Sequence, residues 1–225
     1  MLWQPVVVEP GEAVRTYKAR RRTSAGQLAD LARRRPAYGA AADRPFDARA
    51  AFGRSAPLVL EIGSGTGEAT AQAAAADPAR DVLAVEVHTP GVAALLRRVE
   101  ERGLTNVRVL EGDGLQVLAG LPSAALDEVR VWFPDPWPKA RHAKRRLVSP
   151  AFAALVADRL RPGGRLHVAT DWAAYAAHAE RVLTACPHLA LVGRERGDRP
   201  VTRFEARGRA AGRPAHDLVA ERTAR

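Results

Sequence analysis

Cysteine, lysine and aromatic side chains are scarce in this 225-residue chain, and each scarcity narrows what it can be. A single cysteine, Cys186, excludes an intrachain disulfide and any cysteine-built metal site, and favours a reducing cytoplasm. No run of about 18 apolar residues is present to span a bilayer, and the first residues lack the basic-then-apolar pattern of a signal sequence. The expectation is a soluble, cytoplasmic protein with no membrane partner. The histidines at 88, 142, 167, 178, 188 and 216 have no metal-ligand spacing, and no Ser-His-Asp set is apparent, so no metal is expected. Only three of the 35 cations are lysines, and two of these, Lys139 and Lys144, fall within one short segment.

The formal charge of +10 is unevenly distributed. Residues 1–55 have a net charge of +6, 56–129 of −6, 130–146 of +5 and 147–225 of +5. An acidic middle between basic flanks suits a partner carrying many phosphates that engages some faces and not others. Biased base composition, with arginine dominating, is the plainer explanation. The length fits one domain with a core of its own. Residues 1–55 read as a basic arm and connector, partly disordered, and 56–225 as the folded domain. The arm holds Arg15, Lys18, Arg20, Arg21 and Arg22, and Ser24 is placed to cap a short helix running to about Arg35.

From Pro57 onward, apolar strands alternate with helical stretches. Strands are expected at Leu58–Ile62, Val82–Glu86, Asn106–Leu110, Val129–Phe133 and Arg165–Thr170, with weaker ones near 188–192 and 215–221. Helices are expected from the glycine loop to about Ala76, from Pro90 to Arg102, from Ser149 to Leu160 and from Asp171 to Ala185. The fold class is therefore α/β: a single doubly wound, mostly parallel, seven-stranded sheet with helices on both faces, Rossmann-like. Ligands of such sheets bind at the carboxyl ends of the strands.

Gly63-Ser64-Gly65-Thr66-Gly67 follows the first strand and opens a helix, so its backbone N–H groups can approach a ligand closely. The spacing lacks the third glycine of the dinucleotide fingerprint. Glu61 and Glu68 flank the loop; their charge would repel a pyrophosphate but suits a ligand bearing an ammonium and a sulfonium. S-adenosylmethionine fits, and a nicotinamide dinucleotide does not. Glu86, ending the second strand, is placed to accept from ribose hydroxyls. Asp113 is placed to meet an adenine amino group, with Glu111 as its rival.

The most distinctive segment is Phe133-Pro134-Asp135-Pro136-Trp137-Pro138-Lys139-Ala140-Arg141-His142-Ala143-Lys144-Arg145-Arg146. Phe133, Asp135 and Trp137 each precede a proline, which predicts an extended, stiff backbone. An acid beside an indole can hold a flat heterocycle, and the cations that follow suit a phosphate backbone. This segment resembles the signature of bacterial tRNA (guanine-N7)-methyltransferases. Leu60-Glu61-Ile62-Gly63, Val85-Glu86-Val87-His88, Ala169-Thr170-Asp171-Trp172 and Thr202-Arg203-Phe204-Glu205 resemble that family too, over about residues 45–221.

The resemblance implies a class I methyltransferase that moves a methyl group from S-adenosylmethionine to N7 of a guanosine in the tRNA variable loop, at position 46. It implies cofactor contacts at Glu61, Gly63, Gly65, Gly67, Glu86, Asp113 and Asp135, with Asp135 as the catalytic residue. Lys139, Asp171, Thr202, Arg203, Phe204 and Glu205 would contact substrate, and Arg141, His142, Ala143, Lys144, Arg145 and Arg146 would meet RNA. Arg203 stands where the family usually has lysine, and residues 212–217 depart from the family pattern. Guanine N7 has a free lone pair at neutral pH, so Asp135 is expected to anchor and stabilise charge rather than act as an obligatory base; an Asx turn is its alternative role. Asp171 could reach the base edge or cap the next helix. Trp137 could stack on a base and Trp172 frame the pocket, or either could be core. No obligate protein partner is implied, and the chain would be a monomer or homodimer. A same-fold methyltransferase acting on another RNA or a small molecule, and a non-catalytic RNA-binding protein, are the alternatives.

Overall fold

The computed structural model describes residues 23–41 and 46–224. The expected basic cluster Arg15–Arg22 lies outside the described residues. Seven strands form one sheet in the order β3-β2-β1-β4-β5-β7-β6. These are β1 (Leu58–Ile62), β2 (Asp81–Glu86), β3 (Val107–Glu111), β4 (Leu126–Trp132), β5 (Leu160–Thr170), β6 (Leu189–Gly193) and β7 (His216–Arg222). All neighbours are parallel except β7, which runs antiparallel to both β5 and β6.

Eight α-helices accompany the sheet among the described residues: α1 (Ala25–Tyr38), α2 (Ala48–Phe52), α3 (Glu68–Ala76), α4 (Thr89–Glu101), α5 (Gly114–Gly120), α6 (Pro150–Arg159), α7 (Ala173–Ala185) and α8 (Arg203–Ala210). Successive strand side chains point to opposite faces, so each strand feeds two apolar layers. Leu60, Ile62, Val129, Val131 and Val168 pack with Leu118, Phe152 and Leu183 of α5, α6 and α7. Val59, Val82, Ala84 and Val109 pack with Leu31, Ala71 and Leu95 of α1, α3 and α4. Strands buried on both faces explain the near-continuous apolar runs.

Local sequence sets the helix ends. Ser24 accepts the Gln27 amide while the Gln27 side chain accepts the Ser24 amide, a complete capping box that starts α1. The helix continues past the expected Arg35 to Tyr38, with Pro36 in its last turn. Arg34, buried, holds it to α4 through Glu100 at 2.8 Å. Ser149 caps α6 with Pro150 in its first turn.

Four expectations need correction. Helix α7 begins at Ala173 with Trp172 in the N-cap position, so Asp171 does not cap it. Strand β5 begins at Leu160, and Pro162-Gly163-Gly164 causes a register shift within it instead of preceding it. The short helices α2, α5 and α8, and a 3₁₀ turn over Ala140–Arg145, have no counterpart in the expected elements. Finally, Phe133 and Trp137 are not extended: their φ angles are +57° and +44°. Contacts around them, described below, override the pre-proline preference.

Candidate active site

The strand order reverses between β1 and β4, and there the carboxyl ends of the strands open a cleft of about 790 Å³. Glu61, the loop 63–67, Glu86, Asp113 and the Asp135 loop all line this one cleft. Lys139, Asp171 and Glu205 are not on its walls, whereas Thr202, Arg203 and Phe204 are.

Gly63 and Gly65 have φ of +82° and +58°, and a Cβ on either would project into open space; the backbone there forms a cradle. Gly67 serves packing instead, since a Cβ there would come within 2.3 Å of Leu95 on α4. The Glu86 carboxylate braces the loop: one oxygen accepts the Gly65 amide at 2.7 Å and the other the His88 amide at 2.8 Å. Each oxygen retains a lone pair for a ligand hydroxyl. Asp113 caps α5 through the Leu115 amide at 2.9 Å and faces the cleft. Its rival Glu111 points away from the cleft, accepting from Thr89 Oγ1 at 2.5 Å and pairing with Arg35.

Glu61 is buried and accepts from Thr70 Oγ1 at 2.9 Å. Burial raises its carboxyl to about 7, outweighing the Arg130 charge and the Thr70 hydroxyl. Five buried side-chain polar atoms lack a partner among the described residues, and four belong to cleft residues: Glu61 Oε2, Ser64 Oγ, His88 Nε2 and Trp132 Nε1. Unsatisfied buried groups are costly, so their concentration here fits a polar ligand with both donors and acceptors. An amino-acid moiety together with a ribose matches that donor and acceptor set, as S-adenosylmethionine would. Ser64, His88 and Trp132 were not singled out from sequence, where nothing marks a side chain as unpartnered.

Asp135 stands at the cleft rim, exposed, with no hydrogen-bond partner among the described residues. The surrounding walls nonetheless raise its carboxyl above the ordinary aspartate range by desolvation. Its loop is held from behind. Phe133 N–H donates to Ala169 O at 2.7 Å, and Arg146 Nε donates to Pro136 O at 3.1 Å. The guanidiniums of Arg199 and Arg145 lie 5.2 Å from the Phe133 ring and 5.0 Å from the Trp137 ring, and His142 meets Trp137 edge-on at 5.8 Å. Trp137 is on the cleft wall; Trp172 packs against the core and is not.

The basic segment therefore divides. Arg141, Lys144 and Arg145 are exposed on the 3₁₀ turn, as is Lys139 before it, while His142, Ala143 and Arg146 are half-buried. Arg146 also lies 5.5 Å from the Tyr175 ring, so it braces the loop from inside. Asp171 accepts from Arg213 Nε at 2.9 Å and sits against Gly208 of α8. Thr202 caps α8 by accepting the Glu205 amide at 3.0 Å. The Glu205 side chain is fully buried, pairing with Arg199 at 2.8 Å, Arg209 at 2.6 Å and Arg196. Arg199, Asp217 and His167 form the rest of this interior network, with His167 Nε2 2.8 Å from Asp217 Oδ1.

Comparison with known proteins agrees with this layout. A family model described as "Putative methyltransferase" matches residues 55–218. A tRNA (guanine-N(7)-)-methyltransferase of Paracidovorax citrulli is 52% identical over 185 residues, covering 80% of this chain and 74% of that protein. One from Methylococcus capsulatus is 46% identical over 224 residues, covering 96% of each. The solved 16S rRNA methyltransferase KamB shares the fold at a TM-score of 0.58 and 16% identity, covering 83% of this chain and 98% of KamB. The family match spans the glycine cradle, the Asp135 loop and α8, and with the identity to these relatives the chain belongs to the tRNA (guanine-N(7)-)-methyltransferase family.

Proposed function

We propose that the protein transfers a methyl group from S-adenosylmethionine to N7 of a guanosine in the variable loop of tRNA, at position 46. One observation carries this reading: the acids expected to hold the methyl donor and the Asp135 loop open onto a single cleft, beside an exposed basic turn.

The methyl donor, when bound, supplies an electrophilic carbon on a sulfonium. Glu61 meets its ammonium, Glu86 its ribose hydroxyls and Asp113 its adenine amino group, while the cradle at Gly63 and Gly65 lets the backbone approach. The guanine enters between the Asp135 loop and the wall formed by Thr202 and Phe204. The donor would supply its methyl carbon to the N7 lone pair, and the purine would take up the positive charge that the sulfonium gives up. No proton need leave before attack. Asp135 stabilises the purine as it becomes cationic, and alignment of the two reactants supplies much of the acceleration. Arg141, Lys144 and Arg145 engage backbone phosphates, positioning the RNA rather than reading its sequence. Lys139 and Asp171 act at the margin of the cleft, and Glu205 acts through the interior. The reading includes a cytoplasmic protein, monomer or homodimer, without an obligate partner. Among the described residues no helix is long and apolar enough to cross a membrane.

Incubation with bulk tRNA and labelled methyl donor, followed by nucleoside analysis, tests the reading. 7-Methylguanosine mapped to the variable loop is expected; label in another nucleoside, or only in another RNA, would refute it.

A further inference from the structure

The Arg199 side chain has no solvent exposure and touches three separate parts of the fold. Its Nε and Nη2 donate to the two oxygens of Asp217 on β7 at 2.6 and 2.8 Å. Its Nη1 donates to Glu205 of α8 at 2.8 Å. Its guanidinium carbon lies over the ring of Phe133, the first residue after β4, 5.2 Å from the centroid. Buried ion networks add little net stability over apolar packing of the same volume, whereas removing one partner leaves an uncompensated buried charge.

The backbone at Phe133 is unusual. A bulky residue with φ of +57° before a proline is strained, costing on the order of 1–3 kcal/mol, and needs its surroundings to hold it. Phe133 is held on two sides, its amide by Ala169 O and its ring by the Arg199 guanidinium. Two residues further on stands Asp135. Glu205 also fixes the first turn of α8 through its amide bond to the N-cap Thr202, and Thr202 and Phe204 line the same cleft. A single buried group thus touches the supports of both walls.

We propose that Arg199 is a positioning residue for methyl transfer: through the Phe133 ring and Glu205 it sets the separation of the Asp135 loop from the Thr202–Phe204 wall. Lysine could not replace it, because one ammonium cannot span both oxygens of Asp217, reach Glu205 and lie over the Phe133 ring at once. The role rests on the proposed reaction, since it concerns where the target base sits. It leaves the cradle around Glu86 untouched, so affinity for the methyl donor should not follow it.

The test is a cycle of Arg199→Lys, Phe133→Leu and the double variant. Single-turnover methylation of tRNA, donor affinity by calorimetry and melting temperature are measured for each. Each single variant is expected to lower the single-turnover rate about tenfold or more, because small misplacements of reacting groups are costly. Donor affinity should stay within about twofold of wild type, and the double variant should be little worse than Arg199→Lys. Additive losses, or a rate unchanged in either folded single variant, would overturn the proposal. If Arg199→Lys does not fold, Phe133→Leu alone decides: an unchanged rate rejects the role and a reduced one with normal donor affinity supports it. Wild-type protein that makes no 7-methylguanosine overturns the assigned reaction as well, whereas active wild type with unaffected variants overturns only the positioning role.

Discussion

Glu86 Oε2 accepts the Gly65 amide at 2.7 Å, tying the end of β2 to the middle of the glycine loop. The other oxygen accepts from His88, so both face backbone donors. Glu86→Gln must turn an NH₂ towards one of those donors, leaving a buried N–H unsatisfied and the loop displaced. Calorimetry should show affinity for S-adenosylmethionine at least about tenfold weaker, the range expected for losing a charged hydrogen-bonding anchor. Unchanged affinity would remove Glu86 from the donor site.

Donor binding should depend on pH through Glu61. Without ligand its carboxyl holds a proton up to about pH 7, because burial disfavours the charge. A bound ammonium requires the carboxylate, so binding below that pH must expel the proton. Affinity should therefore rise with pH, by up to about tenfold per unit below pH 7, and level off above it. Glu61→Gln should bind weakly with no such rise; an identical pH profile in both proteins would contradict the role.

For Asp135→Asn, donor binding should largely survive while the single-turnover rate falls severely. The substitution keeps the shape of the side chain and removes the charge that meets the cationic product. Rapid-quench assays with saturating donor would expose retained turnover, which would exclude Asp135 from the reaction.

The exposed cations should set the salt dependence of tRNA binding. Replacing both Arg141 and Lys144 with alanine should reduce the slope of log affinity against log salt by about 1.4 to 1.8, from two fewer phosphates neutralised. Arg146→Ala should instead lower the melting temperature, because its guanidinium bonds Pro136 O and covers the Tyr175 ring. An unaltered slope in the first variant would place the RNA elsewhere.

Acid should loosen the interior network through Asp217. Burial alone would raise its carboxyl, yet hydrogen bonds from His167 and Arg199 bring it down to about 2. A lowered carboxyl contributes stability above its unfolded value near 3.8 and loses it as pH falls towards 2. Melting curves of wild type and Asp217→Asn should differ at pH 6, draw together as pH falls below about 3.8, and converge only near pH 2, where the folded wild-type carboxyl takes up its proton. A gap that persists in strong acid would argue against the ionic account.

The parallel strands were readable in the sequence because burial on both faces leaves long apolar runs such as Leu58-Val59-Leu60. Turn chemistry likewise marked the cradle. Helix α8 was obscured because it is short and rich in arginine, although Thr202-x-x-Glu205 carries the Thr/Glu spacing of a capping box. That Glu205 turns inward could not be read at all, since its partners depend on how α8 docks. The Arg199–Asp217–His167 cluster joins residues 18 and 50 positions apart with no periodic signal. The left-handed backbone at Phe133 ran against the local rule for pre-proline residues, because tertiary contacts outweighed that preference.

Strand β7 is inserted between β5 and β6, and β6 has no other neighbour in the sheet. During synthesis, β6 leaves the ribosome before β7, its partner strand among the described residues, exists. The side of β6 that pairs with β7 thus stays unpaired until residue 222 has emerged, an interval in which its backbone groups are open to misassociation.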